Sequence, residues 1–232
     1  MLASWLSPAD LEALWLSLKL AMVTVVALLA LSIPLAWWLA HTRWRSRPVL
    51  EALIAMPLIL PPTVLGFYLL LFLGPAGWGG QFMAAIGEQA LVFSFTGLVI
   101  GSMVYSLPFA VQPLQATFQA IDKDSLEVAA TLGASPLDRF FSIVLPLSRR
   151  GLLTASVLTF AHTLGEFGVL LMIGGNIPGR TQVASIAIYS HVEAMDYGAA
   201  HALSVTMLVL SFALLLLVFM FNRQVNMVSS VR

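Results

Sequence analysis

Five long runs of apolar residues dominate the chain, and each is long enough to cross a lipid bilayer. They occupy residues 14–40, 49–73, 90–111, 151–173 and 202–221. A helix needs about 20 mostly apolar residues to span the hydrocarbon core. The runs are uniformly apolar rather than alternating in polarity, so their backbone groups must be satisfied within helices. The pattern therefore predicts an all-α integral membrane protein with five transmembrane helices.

Two of the runs carry residues that are unusual at membrane depth. The second contains Pro57, Pro61 and Pro62, which can kink a helix around a pathway or can simply be accommodated by packing. The fourth contains His162 and Glu166, which lie four residues apart and so share one face of a continuous helix. An ionisable residue inside a span points to function by default. Two such ligands are too few for a metal site, and no others cluster nearby in the sequence.

The composition agrees with a lipid environment. Hydrophobic residues make up 59% of the chain and charged residues 9%, whereas a soluble domain has about 25% charged residues. The net charge is zero, which gives no indication of nucleic acid as a partner. No cysteine is present, so disulfides, thiolate metal sites and cysteine nucleophiles are excluded. Residues 1–13 lack the basic start of a cleavable signal peptide and are expected to form an external segment.

Basic residues are distributed very unevenly among the predicted loops. Arg180 is the one basic residue in a loop on one side, and Lys19 lies at the start of the first span. The other nine fall on the opposite side: Arg43, Arg45, Arg47, Lys123, Arg139, Arg149, Arg150, Arg223 and Arg232. Short loops rich in Lys and Arg stay in the cytoplasm. We therefore expect an external N-terminus, a cytoplasmic loop between the third and fourth spans, and a cytoplasmic tail at residues 222–232.

The loop at residues 122–147 has the features of two short helices separated by a sharp turn. Asp122 or Asp124 can cap the first helix, and Gly133 can end it in a left-handed conformation. Ser135 can cap the second helix. One apolar face is expected on that helix, made of Leu137, Phe140, Phe141 and Val144. From the residues alone, the simpler interpretation is an amphipathic helix that rests on lipid headgroups.

The same loop resembles the EAA loop of ABC importer permeases. Glu127-Val128-Ala129-Ala130 is followed by Gly133 and, about a dozen residues later, by Leu145-Pro146; Val128 stands where the family usually has its first alanine. The resemblance implies the type I importer permease fold, with cytoplasmic coupling helices that dock into a cleft of a separate ATPase subunit. Glu127 would pair there with a basic residue. The implied coupling residues are Glu127, Ala129, Ala130, Leu132, Gly133, Ala134 and Ser135.

Two further stretches, Leu-Gly-Glu-Phe-Gly at residues 164–168 and Gly-Asn-Ile-Pro-Gly at residues 175–179, resemble molybdate permeases and their sulfate relatives. The compact length is more similar to the molybdate branch. The resemblance implies import of a tetrahedral oxyanion, molybdate first, with sulfate or tungstate as the alternative. Because a free carboxylate would repel such a cargo, an organising or gating role is favoured for Glu166. The implied gate and pathway candidates are Pro61, Pro62, Thr163, Gly165, Glu166, Gly168 and Asn176.

The resemblance also implies an assembly in the bacterial inner membrane. Five helices hardly enclose a hydrophilic path, and the resemblance implies that two copies of the chain form the path at their two-fold interface. The sequence has no Gly-x-x-x-x-Gly-Lys-Ser/Thr stretch. We therefore expect the chain to be no enzyme and to bind no cofactor, with ATP hydrolysed by the partner subunit. An extracytoplasmic oxyanion-binding protein would deliver the cargo to the outer loops.

Two other classes of membrane protein fit the sequence less well. A gradient-driven secondary transporter predicts internal repeats or paired broken helices, and neither is visible in the sequence. A membrane-embedded hydrolase needs a nucleophile with a base, yet no Gly-x-Ser-x-Gly stretch accompanies His162. Both classes leave the loop at residues 122–147 unexplained. The expected organisation is one transmembrane domain at residues 14–221, between the external segment and the tail.

Overall fold

The computed structural model describes residues 5–87 and 91–229, with side chains omitted at residues 123, 218, 219 and 221–229. Every regular element in these ranges is helical, which confirms the all-α prediction. Parts of three predicted segments lie outside the described residues. They are the first four residues of the external segment, Ala90 at the start of the third span, and residues 230–232 of the tail, which include Arg232.

The α-helices of the described ranges succeed one another with short connections. They are α1 (Pro8–His41), α2 (Arg47–Ala55), α3 (Pro62–Leu73), α4 (Trp78–Ala85), α5 (Phe95–Gln119), α6 (Lys123–Thr131), α7 (Pro136–Arg139), α8 (Leu145–Leu147), α9 (Arg149–Leu164), α10 (Gly168–Gly174), α11 (Ala184–Glu193) and α12 (Tyr197–Ser229). A 3₁₀ turn at Met56–Leu58 follows α2, and a π-helical turn at Phe140–Val144 follows α7.

Four helical stretches in the described part of the chain are long and apolar enough to cross a membrane. They are Pro8–His41, Pro62–Ala85, Phe95–Gln119 and Tyr197–Leu217. A fifth crossing results if Pro136–Leu147 and Arg149–Leu164, which meet at 69°, count as one span. The number agrees with the predicted membrane fold, although the helix bounds differ from the predicted runs. The second crossing in particular continues past its predicted end at residue 73 and through α4.

The second and fourth apolar runs are not continuous helices. Pro57 lies in the 3₁₀ turn after α2, and Pro61 precedes α3 in an extended conformation with ψ of 134°. A proline lacks the N–H of a helical residue and its ring clashes with the preceding turn. The fourth run ends as a helix at Leu164 and restarts at Gly168. Each run therefore folds as two shorter helices joined by a break.

Helix α1 runs along the bundle and identifies its two ends. It has 34 residues, a length of about 50 Å at 1.5 Å per residue. Near its start, Leu14 packs with Ala184 of α11 and Leu203 of α12. Near its other end, Leu39 packs with Phe118 at the end of α5. We call these the α11 end and the loop end, because the helices of the 122–147 loop lie at the second.

Close contact between α3 and α10 fixes the position of the break in the fourth run. A Cβ atom on Gly66 would lie 2.8 Å from Cβ of Met172 and 3.1 Å from Cα of Val169. A Cβ atom on Gly168 would lie 2.9 Å from Cβ of Pro62. Small residues let helix backbones approach closely inside a membrane. The glycines therefore allow the restarted helix α10 to lie directly against α3.

Candidate functional site

The loop between the third and fourth spans folds as two short helices with a sharp turn, as the sequence predicts. Asp122 caps α6, since its side chain accepts a hydrogen bond from the N–H of Asp124 at 3.2 Å. Gly133 follows α6 with φ of +89°, in the left-handed region. Ser135 caps α7, since its Oγ accepts from the N–H of Asp138 at 3.1 Å. These caps satisfy backbone groups that helix ends leave open.

The coupling candidates lie on this helix pair and are largely exposed. Glu127, Ala130, Leu132, Gly133 and Ser135 are exposed, and Ala129 and Ala134 are half-buried. Several large apolar side chains beside them also face away from the protein. We call this set the loop patch: Val128, Leu132, Leu137 and Phe141. Leu132 alone is 83% exposed. Large apolar side chains that stay exposed in this way are candidates for a protein or membrane contact.

The second helix of the pair is anchored in the bundle. Arg139 Nη1 donates to the backbone carbonyl of Leu126 at 3.3 Å, which ties α7 to α6. Phe140 packs edge-on against Trp37 of α1, with ring centroids 5.4 Å apart. Val144 is fully buried in the same cluster, between the ends of α1 and α5. Because close-packed interiors transmit strain, a displacement of α7 would act directly on the membrane helices.

The single apolar face predicted for the second helix is wrong. Phe140 and Val144 are packed into the bundle, whereas Leu137 and Phe141 are exposed. The cause is the π-helical turn at Phe140–Val144, whose extra residue per turn changes the angular spacing of the side chains. One half of the predicted face therefore anchors the helix, and the other half belongs to the loop patch.

The break between α9 and α10 encloses an acidic side chain. Helix α9 ends at Leu164, Gly165 is exposed, and Glu166 is only 4% exposed. Neither carboxyl oxygen of Glu166 has a hydrogen-bond partner among the described residues. Its backbone is held in place, because Ser185 Oγ donates to the Glu166 carbonyl oxygen at 2.7 Å. The carboxyl group is thus surrounded by protein in this conformation and is not presented to a passing anion.

Beside the break, polar side chains of α5 and α9 form a hydrogen-bond network between the two helices. Ser106 Oγ lies 2.9 Å from His162 Nδ1 and 3.1 Å from Thr163 Oγ1. The His162 ring stacks on Phe109 with centroids 4.1 Å apart, and the Tyr105 ring lies at 4.6 Å. Interhelical hydrogen bonds hold membrane helices together where lipid provides no hydrophobic driving force. The network therefore fixes α9 against α5 just before the break.

The α5 half of this network was not predicted from the sequence. Ser106 belongs to the network, and Ser102, which does not, precedes it by four residues, so both lie on the same side of α5. That helical spacing of two serines within an apolar run is the feature that could have identified them. The prediction that His162 and Glu166 share one helical face is wrong, because the helix ends between them. His162 is engaged by Ser106 instead.

The remaining pathway candidates divide between the break and the α11 end. Pro62 and Gly168 come together where α3 meets α10. Asn176 lies in the loop before α11, where it accepts from Gln182 Nε2 and donates to Ser190 Oγ, both at 2.7 Å. Its contacts thus order a loop at the α11 end and not the break. Within the described residues, no group of three or more His, Cys, Asp or Glu side chains could hold a metal ion.

A known protein family and several known relatives match almost the whole chain. Residues 16–227 match the family described as binding-protein-dependent transport system inner membrane component. The molybdenum transport system permease protein ModB of Azotobacter vinelandii is 54% identical over 210 residues, which cover 90% of this chain and 93% of the relative. The sulfate transport system permease protein CysT of Synechocystis sp. is 31% identical over 183 residues, which cover 79% of this chain and 64% of the relative.

A solved structure shares the architecture. It is the crystal structure of a bacterial ABC transporter involved in the import of the acidic polysaccharide alginate, with a TM-score of 0.78. The likeness covers 94% of this chain and 80% of that chain at 17% identity, so it concerns the fold alone. It confirms the predicted type I importer permease fold. With the family match covering nearly all of its length, the chain belongs to the binding-protein-dependent transport system inner membrane components.

Proposed function

We propose that this chain is the membrane-spanning permease subunit of an ATP-driven importer that carries molybdate across the bacterial cytoplasmic membrane. The observation that carries the proposal is the helix pair α6–α7, which presents the loop patch on one side and is anchored in the bundle on the other. Molybdate is the favoured cargo because a molybdenum permease is 54% identical over 90% of the chain. Sulfate and tungstate are the alternatives, and the sulfate relative at 31% identity supports sulfate less strongly.

The exposure of the loop supports a coupling role. Glu127 stands on the exposed side of α6 beside the loop patch, where a basic residue of an ATPase subunit can pair with it. A charged pair at an interface gives both affinity and register. The small side chains of Ala129, Ala130 and Ala134 allow a partner surface to approach closely. This chain would then convert the movement of the ATPase subunits into movement of its own helices.

The connection to the membrane helices is short and direct. After the π-helical turn and α8, the chain bends by 69° into α9. Helix α9 leads without interruption to the break that holds Glu166. A displacement of α7 would therefore be transmitted to the break through α9 alone. This arrangement supports a gate near the break, in which Thr163, Glu166 and Gly168 set the helix positions and do not bind the anion.

Orientation and assembly complete the proposal. The nine-to-one distribution of basic loop residues favours an external N-terminus and a cytoplasmic loop end. Two copies of the chain would enclose the path between them, and an extracytoplasmic binding protein would deliver the anion at the α11 end. ATP would be hydrolysed by the separate subunit that docks on the loop patch.

The test is uptake of labelled molybdate by cells that lack their own molybdate and sulfate importers. The cells express this chain together with the candidate ATPase and binding protein. We expect uptake to require both partners and to be inhibited most strongly by excess molybdate, ahead of tungstate and sulfate. Uptake that persists without the ATPase subunit would indicate a gradient-driven transporter. Uptake of sulfate but not of molybdate would show that sulfate is the cargo and that the assignment of molybdate is wrong.

A further inference from the structure

Two buried polar side chains face each other across α5 and the break, and neither has a hydrogen-bond partner among the described residues. Ser102 is fully buried, and Glu166 is 4% exposed. Ser102 stands one helical turn before Ser106, whose Oγ contacts Thr163 just before the break, and this places Ser102 on the side of α5 that faces Glu166. Both carboxyl oxygens and the serine Oγ nevertheless lack hydrogen-bond geometry to any described residue. Buried polar groups are nearly always hydrogen-bonded, so an unpartnered pair in contact calls for a physical explanation.

The surroundings of Glu166 contain hydroxyl groups and apolar side chains. On α5, Tyr105 lies close enough to interact with Glu166 electrostatically, in addition to Ser102. On α9, His162 is turned toward Ser106 on α5. From α11, the Ser185 hydroxyl is used by the backbone carbonyl of Glu166.

The elements packed beyond these groups do not change that picture. Where α10 and α3 meet next to the break, the contact includes Gly66, Val169, Met172 and Pro62. Two ion pairs among the described residues lie at the two ends of the bundle, between Arg47 and Glu51 and between His191 and Asp10. The carboxyl group of Glu166 therefore has hydroxyl neighbours and no hydrogen-bonding cation among the described residues.

An ionised carboxylate is strongly disfavoured in such a place. Burial of an isolated charge at membrane depth costs far more free energy than burial of a neutral polar group. A carboxylate in such a place therefore takes up a proton and becomes neutral. A neutral carboxylic acid carries an O–H donor as well as an acceptor oxygen. It can donate to Ser102 Oγ, which satisfies both groups with only a small side-chain adjustment. A carboxylate and a serine could also pair, but the charge would remain uncompensated.

We propose that Glu166 acts as an uncharged carboxylic acid that, paired with Ser102, positions the break of the fourth run against α5. The pair extends the Ser106–His162–Thr163 network by one helical turn along α5. The proposal rests on the proposed function in one respect, since a neutral group at this depth does not repel an oxyanion. Glu166 is thus a positioning residue, and its charge takes no part in transport.

The first experiment measures the protonation state without any transport. Infrared difference spectra between the wild-type permease and Glu166→Gln, each purified in lipid at neutral pH, report the carbonyl stretch of a protonated carboxylic acid. We expect this band in the wild type and its loss in Glu166→Gln. Ser102→Ala should shift the band, because its hydrogen bond is lost. The matched control Glu193→Gln, at an exposed position on α11, should leave it unchanged. Absence of the band from the wild type would overturn the proposal.

The second experiment compares molybdate uptake among variants. Glu166→Gln keeps a neutral hydrogen-bonding group of the same shape, so uptake should stay within about twofold of the wild type, whereas Glu166→Ala should lose about tenfold because buried partners are left unsatisfied. If Glu166→Gln is as defective as Glu166→Ala while both insert normally, the charge is needed and the proposal is wrong. If the wild type itself imports no molybdate, the proposed function fails, and the infrared result still decides the state of Glu166.

Discussion

Gly133 offers a sharp test of the coupling role of the loop. Its φ is +89°, in a region that β-branched residues rarely adopt. A Cβ atom at this position would meet no atom within 4 Å. A side chain at position 133 would therefore not clash with the rest of this chain, and the cost of a substitution is backbone strain alone. A left-handed conformation costs a non-glycine residue about 1–2 kcal/mol.

We expect Gly133→Val to weaken binding of the ATPase subunit by about 5- to 30-fold, because strain of this size lowers the fraction of chains that hold the turn. Gly133→Asn is the matched control, since asparagine tolerates the left-handed region, and its loss should be about twofold or less. The melting temperature of the bundle should change little in either variant. Gly133 is exposed, and the core clusters of the bundle do not include it.

The assay is titration of the tagged ATPase subunit onto the permease in lipid nanodiscs, with thermal unfolding measured on the same samples. Equal binding by Gly133→Val and the wild type would show that the turn is not needed for docking. Equal weakening by Gly133→Asn and Gly133→Val would show something different. A side chain would then be excluded by the partner surface, and close approach would explain the glycine better than turn conformation.

Three further outcomes are expected. Glu127→Ala should insert normally but lose about 2–5 kcal/mol of ATPase binding free energy. Asp124→Ala, on the same exposed helix, should lose far less. If the wild type and both variants co-purify equally with the ATPase subunit, Glu127 has no role in docking. Gly66→Val should lower the melting temperature, because its Cβ would lie 2.8 Å from a side chain of α10 and overpacking costs about 1–3 kcal/mol. Gly198→Ala, where the nearest atom lies 3.6 Å away, should not. A cytoplasm-active reporter should work at the C-terminus and fail after Gly87; the reverse would invert the topology.

The features that the sequence predicted correctly are set by neighbours along the chain. The caps at Asp122 and Ser135 and the left-handed turn at Gly133 depend on residues within three or four positions. Long apolar runs likewise identify membrane helices without knowledge of their packing. The roles of Glu127 and the other coupling candidates depend on a second protein, and they stay predictions.

The features that the sequence did not show depend on contacts between distant residues. Ser106 and His162 are 56 positions apart, and no local pattern links them. Inside a membrane, lipid-facing and core-facing positions are both apolar, so the sequence could not show which face of α5 meets α9. The broken fourth span illustrates the same difficulty. Gly165 and Gly168 permit an end to the helix, but the contact of α10 with α3 fixes where it restarts.

Helix α9 joins the loop at residues 122–147 to the break, and its contacts determine where movement can occur. It has 16 residues, a length of about 24 Å. At the loop end, Gly151 lies so close to α5 that an added Cβ would clash with Thr117 Oγ1. At its other end, Thr163 is hydrogen-bonded to Ser106 of α5. A helix fixed to its neighbour at both ends cannot slide past it without breaking these contacts. We therefore expect α5 and α9 to move together, so that the 69° bend before α9 and the break at residues 165–167 take up the change.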